Sequence, residues 1–189
     1  SVHLDAGSAL GDETQGDTRL VTLLQGGGFF GVDASQTPFS VETGPITATA
    51  LGTGFEGSVL DDTVVVAVSE GRVAVTSQAR DHWQLEAGDR LIWSAQTGVT
   101  RDKIAIEDVA GWRTDRLITK GLTFAQVIEI IDRRLPGKTL IIDGQLARSE
   151  MTGVIDLSKP ETALKVVTRA RQARSFAAST LLRFIRARN

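Results

Sequence analysis

The sequence has no cysteine and no tyrosine, and only two histidines, four prolines and one methionine in 189 residues. Without cysteine there are no disulfides, iron–sulfur clusters or thiolate zinc sites. His3 and His82 stand apart, with no carboxylate-and-histidine set around them, which argues against His-rich metal sites and His-dependent catalysis. The missing cysteine also removes any redox address, since such a chain tolerates cytosol and periplasm alike. Aromatic residues make up 5%, which is thin for a glycan-binding platform. The longest purely apolar run, Val64 to Val68, falls far short of the ~20 residues that span a bilayer. The chain opens at Ser1 without a methionine or signal-peptide pattern and reads as a fragment or a processed form.

What is present is ordinary globular material, 41% hydrophobic and 23% charged, enough for one domain or two small ones. The net charge of −2 hides an asymmetry. Residues 1–112 hold 6 basic and 16 acidic residues, a net −10, and residues 113–189 hold 15 basic and 7 acidic, a net +8. That reversal predicts two domains or a basic partner-binding end, divided at 1–112 and 113–189.

The acidic half reads as all-β. Phe39–Glu42, Val64–Val68, Arg72–Thr76 and Arg90–Trp93 are strand-like, and Asp and Gly punctuate them as in a sandwich, a barrel or a solenoid. A pattern of two apolar residues one apart, then Gly three further on, recurs as Val2-Leu4-Gly7, Val21-Leu23-Gly26, Val66-Val68-Gly71 and Trp83-Leu85-Gly88. Two inward side chains on one strand face, followed by a Gly free to take positive φ, describe a strand-exit corner. The uneven spacing excludes a strict solenoid repeat and leaves an irregular all-β domain, sandwich or solenoid-like.

The basic half reads as a small α+β domain of two β-α-β units. Asp115 to Leu122 is a candidate strand, and Thr123 with Gln126 forms a capping box opening a helix through Leu135. Its apolar stripe is Phe124, Val127, Ile128, Ile131 and Leu135, and Pro136-Gly137 stops it. A strand over Thr139–Asp143 follows. The second unit is a strand over Met151–Leu157, then a capping box of Ser158 and Glu161 with Pro160 in the first turn, and a stripe of Ala163, Leu164, Val167 and Ala170. A strand over Ser175–Ser179 comes next, and Leu181–Ile185 fits a last strand or a helical turn.

Gly52 to Gly57 matches G-x-G-x-x-G, but no helical stripe follows, so a Gly-rich β corner is the better reading than a dinucleotide fingerprint. Gly26-Gly27-Gly28 lacks the Lys-Ser/Thr of a phosphate loop and reads as a turn or bulge. Asp61-Asp62 is a hairpin turn rather than a metal site. Glu107 and Asp108, if on a strand, point to opposite faces and make no catalytic pair. Six arginines between Arg169 and Arg188 make the C-terminus basic, yet no aromatic-interleaved module accompanies them, so a protein-facing surface is preferred over nucleic acid. No cofactor, metal or catalytic set emerges.

Taken together the residues resemble the periplasmic region of FecR-type anti-sigma regulators. In the first half the resemblance rests on Arg19–Leu23 running into Gly26, Phe29–Val32, Thr37–Gly44, Ala50–Phe55, Val68–Val75 and Leu85–Gly88. In the second half, Leu122–Phe124, Arg133–Gly137 and Met151–Leu157 are similar to the short N-terminal domain of secretins and TonB-dependent receptors. The resemblance implies cell-surface signalling, as in iron uptake regulation, and not an enzyme. Its partners would be the signalling domain of a TonB-dependent outer-membrane receptor, an extracytoplasmic-function sigma factor held by a cytoplasmic region outside this chain, and periplasmic proteases. It places the chain in the periplasm, as the soluble part of a single-pass inner-membrane protein regulating transcription. Some relatives are nicked at a Gly-Thr bond, which marks Gly52 and Thr53 as candidates for self-cleavage. Met151, Val154, Ile155, Leu181, Phe184 and Ile185, on two expected sheet edges, are the candidate receptor contacts. A periplasmic ligand- or glycan-binding β domain is the competing reading.

Overall fold

A computed structural model describes residues 1–12, 19–33, 37–179 and 181–188, with the side chain of Asp12 left aside. The chain is mostly β and divides into two compact units, Ser1–Ala110 and Gly111–Asn189. No helix among the described residues is long and apolar enough to cross a membrane.

The first unit holds β1 (Val2–Leu4), β2 (Ala9–Asp12), β3 (Arg19–Val32), β4 (Phe39–Glu42), β5 (Ile46–Ala50) and β6 (Thr53–Leu60). It continues with β7 (Thr63–Glu70), β8 (Arg72–Ser77), β9 (His82–Glu86), β10 (Asp89–Ser94) and β11 (Gly98–Lys103). They form one sheet in the order β11-β10-β7-β6-β3-β4-β5-β8-β9, with β1 and β2 also on β3. The sheet curls until β9 lies beside β7 and β10. Strands β4, β5 and β8 bury alternate residues, as the period-2 pattern demands. The Val64–Val68 run is buried on both faces, which explains why it is apolar throughout. The core gathers Leu23, Val41, Val66, Val75, Leu85 and Leu91 around Phe30, whose ring lies 5.3 Å from Phe55 and 5.8 Å from Phe39. Between β10 and β11, buried Arg90 grips Asp102 with two bonds of 2.9 and 2.7 Å, a bidentate pair that satisfies both charges.

Strand β3 organises this sheet. Residues Arg19–Thr22 pair in parallel with β4 and Val21–Gln25 pair antiparallel with β2, whereas Gly26–Val32 pair with β6, and Gly28–Phe30 among them also with Val2–Leu4. A parallel neighbour needs a crossover. Here β3's own second half, Gly26–Val32, is part of that connection. The bend falls at Gly26, with φ +86 and a register shift in the β2 ladder beside it. The four glycines of the recurring pattern, Gly7, Gly26, Gly71 and Gly88, all take positive φ, between 65 and 86. Asp61 and Asp62 form the β6–β7 hairpin turn, Asp61 at φ 50. Glu107 and Asp108 lie in a 3-10 turn, not on a strand.

The second unit holds β12 (Arg116–Ile118), β13 (Leu122–Thr123), α1 (Phe124–Asp132), β14 (Lys138–Ile141) and α2 (Gly144–Ala147). It ends with β15 (Glu150–Met151), β16 (Val154–Asp156), α3 (Pro160–Ala170), β17 (Ala173–Ser179) and β18 (Leu182–Ala187). Strands β14, β18 and β17 make one sheet, β14 parallel and β17 antiparallel to the central β18. Strands β12 with β16, and β13 with β15, make separate two-stranded ladders.

Here the structure corrects the expectation of two β-α-β units. Helix α1 joins β13 to β14, and α3 joins β16 to β17, and in each case the two strands lie in different sheets. The single expected strand over Asp115–Leu122 is broken where Leu122 N–H turns back to the Thr119 carbonyl at 2.9 Å. The expected strand over Met151–Leu157 is broken opposite it, where the Gly153 carbonyl accepts from Thr119 N–H at 3.0 Å and Thr119 Oγ1 at 3.1 Å. The Thr123–Gln126 capping box forms, and α1 ends at Asp132 rather than Leu135. The Ser158–Glu161 box does not form: Lys159 stands at the N-cap without a side-chain bond. Ser158 N–H goes instead to Asp156 Oδ1 at 2.8 Å, and the Ser158 contacts, side chain first, hold the Asp156 carboxyl below its ordinary pKa. On α3 Ala170 faces solvent and Thr168 takes the buried place, its hydroxyl returned to the Leu164 carbonyl at 2.6 Å. Of Leu181–Ile185, Leu182–Ile185 lie in strand β18, not in a helix, and Leu181 stands in the turn before it.

A Cβ on Gly26 would lie 2.6 Å from Ser8 Cα, a backbone atom that cannot step aside, whereas one on Gly44, at φ 73, would meet nothing within 4 Å. Gly44→Ala is therefore expected to cost about 1 kcal/mol for its φ alone, and Gly26→Ala about 3 kcal/mol or more. Urea unfolding of the two variants tests the difference.

Candidate functional site

Two places bear on function, one in each unit. The first is the Gly52–Thr53 corner between β5 and β6. Leu51 is exposed, Gly52 has φ 71, and Thr53 is buried at the first position of β6. Thr53 Oγ1 has no hydrogen-bond partner. A buried hydroxyl without a partner is costly. Gly71, at φ 75 between β7 and β8, faces this peptide so closely that a Cβ on it would lie 2.8 Å from both the Gly52 carbonyl oxygen and Thr53 Cγ2. Beside it the β6–β7 ladder shifts register between Gly54 and Phe55, and Ser69 Oγ donates to the Gly54 carbonyl at 2.9 Å. The G-x-G-x-x-G motif thus occupies a turn and a strand. Its Gly54 and Gly57 make room for the rings of Phe29 and Phe30, which sit 3.2 and 3.6 Å from where their Cβ atoms would be. No helix N-terminus is present there to hold a pyrophosphate.

The second place is the β14-β18-β17 sheet. Its inward face is fixed by a polar cluster. Asp132, in the last turn of α1, accepts from Thr139 N–H at 2.6 Å, Thr139 Oγ1 at 2.7 Å and Arg183 at 3.0 Å. Arg183 also reaches Thr139 Oγ1 and the Pro136 carbonyl, both at 3.0 Å. A carboxylate at a helix C-terminus opposes the helix dipole, and the guanidinium removes that penalty. The cluster ties α1, β14 and β18 together. Sequence spacing gave no sign of it, because Arg183 lies 51 residues from Asp132.

The outward face carries Lys138, Leu140 and Ile142 from the first strand and its exit, Leu182, Phe184 and Arg186 from the centre, and Arg174 and Phe176 from β17. Register sets Leu140, Phe184 and Phe176 in one row across the three strands. The rings of Phe176 and Phe184 stack at 5.6 Å with an interplanar angle of 21°. Leu140, Ile142 and Phe176 are exposed, and Phe184 is half-buried.

The six candidate receptor contacts separate on this frame. Val154 and Leu181 are exposed, and Phe184 stands on the outward face. Met151, Ile155 and Ile185 are buried. The reading of Leu181–Ile185 as a sheet edge is corrected, since β18 pairs on both sides and the edges are β14 and β17. The reason is a non-local pairing: β14 and β18 align in parallel, which leaves the preceding strand outermost.

Residues 1–74 match the family model described as FecR protein. Two crystal structures of a candidate anti-sigma factor from Parabacteroides distasonis ATCC 8503, at 1.65 and 2.50 Å resolution, are similar to the whole chain. Each has a TM-score of 0.87 at 21% identity, over 100% of this chain and 90% of that one. At that identity the likeness is one of fold. No curated protein sequence matches the chain.

Removing Asp132 leaves the Arg183 charge, only 17% exposed, and the Thr139 donors without their acceptor. Asp132→Ala is expected to cost about 3 kcal/mol and Asp132→Asn less, since the amide keeps one acceptor oxygen. Chemical denaturation of the two variants checks the order.

Proposed function

We propose that this chain is the periplasmic signalling part of a FecR-type anti-sigma regulator. The observation that carries the reading is the match of residues 1–74 to FecR protein, supported by the shared fold with a candidate anti-sigma factor over the whole chain. On this reading the chain transmits a signal and catalyses no turnover. The loaded outer-membrane receptor offers its signalling domain. The second unit, akin to the short N-terminal domain of secretins and TonB-dependent receptors, receives it. Proteolysis then frees an extracytoplasmic-function sigma factor from a cytoplasmic region. The two halves fold as separate domains near 1–112 and 113–189, and the basic half attracts an acidic receptor domain over the range of a Debye length. Of the six candidate contacts, Val154, Leu181 and Phe184 meet the receptor. Calorimetric titration of the receptor's signalling domain is expected to show binding to the full chain and at least tenfold weaker binding to residues 1–112. Equal affinity would place the interface on residues 1–112 instead of the second unit, and no binding to either would remove the receptor from the reading.

Gly52–Thr53 is the proposed scissile bond. The Thr53 hydroxyl attacks the Gly52 carbonyl carbon, the C–N bond breaks, and the hydroxyl proton ends on the freed amine, leaving an ester. Water then splits the ester, giving a Gly52 carboxyl and restoring the Thr53 hydroxyl. The unpartnered Thr53 Oγ1 and the positive φ of Gly52 support it, since no hydrogen bond must be broken to bring the nucleophile in. Intact mass of fresh and incubated protein is expected to show two fragments whose masses sum to the chain plus one water. A single stable species at full mass rejects the cleavage. Thr53→Ala is expected to stay whole and to fold within about 1 kcal/mol of the parent, because its hydroxyl makes no bond to lose.

A further inference from the structure

Strand β17 buries Ala173 and exposes every residue from Arg174 to Ser179. It has one strand neighbour among the described residues, β18. The ladder fixes which way its backbone points. Arg188 N–H donates to the Gln172 carbonyl at 3.0 Å, and Gln172 lies opposite Arg188 in the register that pairs Ala173 with Ala187. Bonded and non-bonded pairs alternate in an antiparallel ladder, so Arg174 and Phe176 bond to β18 while Ser175 and Ala177 turn their N–H and C=O groups outward. The outward edge carries small side chains, Ser175 and Ala177, that let another backbone approach. No proline blocks it, and its one charge is Arg174. Open edges of this kind are templates for a further strand.

Chemistry narrows the partner. Strands β14, β17 and β18 contain no Asp or Glu, while Lys138, Arg174 and Arg186 lie exposed on the face that also bears Leu140, Phe176 and Phe184. A fourth strand beside β17 would set its alternate side chains next to Phe176 and Arg174. We propose that β17 is a docking strand for the edge strand of an acidic protein partner, which pairs with Ser175 and Ala177 and presents apolar and acidic side chains toward Phe176 and Arg174. This deepens the regulator reading by giving the receptor contact its surface, and it rests on that reading for the partner's identity alone.

The test uses the full chain labelled with nitrogen-15, and a soluble peptide of about ten residues alternating valine and glutamate. At millimolar peptide the Ser175 and Ala177 amides are expected to shift and their hydrogen exchange to slow at least threefold. A peptide with lysine for glutamate is expected to leave them unmoved, and added salt to weaken the effect. Ser175→Pro removes an outward N–H without breaking the β18 ladder and is expected to abolish binding, whereas Ser175→Ala keeps it. Arg174→Glu, an exposed change, is expected to reverse the preference between the two peptides and serves if the proline variant fails to fold. Unmoved β17 amides, or equal response to both peptides, would overturn the proposal. Binding of β17 to anionic phosphatidylglycerol vesicles but not to the peptide would assign the face to a membrane instead. Concentration-dependent sedimentation that Ser175→Pro abolishes, without a peptide response, would assign it to a second copy of the chain. A receptor signalling domain that binds Ser175→Pro as well as the parent would remove β17 from the interface and leave the regulator reading intact. Peptide binding at β17 with no response to that domain would do the reverse.

Discussion

Strand β3 can serve two halves of one curled sheet because Gly26 bends it. Its first residues lie in parallel with β4, and after the bend it pairs antiparallel with β6. The left-handed backbone at this point costs a β-carbon-bearing residue in strain, and Ser8 leaves no space for that carbon. Everything outward from β3 follows in order. On one side the hairpin at Asp61-Asp62 returns β7 against β6, and on the other β5 and β8 continue from β4. The aromatic cluster of Phe30, Phe39 and Phe55 unites the two branches, since its members come from β3, β4 and β6.

In the second unit the corresponding constraint is electrostatic. Asp132 accepts three hydrogen bonds, two from Thr139 and one from Arg183, in a site where neither charge is well hydrated. Breaking one partner leaves the other buried and unpaired, so such pairs are strong determinants of arrangement even where they add little net stability. By holding β18 against β14, the cluster fixes the central strand. The stacked Phe176 and Phe184 then stand outward, and β17 is left with an open side. The inward charge cluster and the outward apolar face are two consequences of one register.

Both candidate sites are places where ordinary folding rules are not met. Thr53 hides a hydroxyl with no partner, and β17 leaves a strand edge with little charge to protect it. Residues that disagree with their surroundings in a folded chain are where function is sought first. The two sites differ in kind: one concerns a covalent bond within the chain and the other a surface for a second molecule.

The sequence by itself determined features that act over a few residues. The Thr123–Gln126 box set the start of α1, and Asp61-Asp62 made its hairpin. The repeated apolar-Gly pattern marked four positive-φ corners, and strands such as Phe39–Glu42 were legible from alternation. It misjudged Ser158 because the Asp156 carboxylate, two residues back, competed for its N–H. Only the tertiary structure decided which strands are neighbours. That β18 is central, that Ile185 is buried while Leu181 is not, and that Arg183 meets Asp132 all depend on segments far apart in the chain. Local propensity is set by sterics and hydrogen bonds within one turn, whereas strand pairing is settled when long loops close and whole faces leave water together. No short window of residues records that choice.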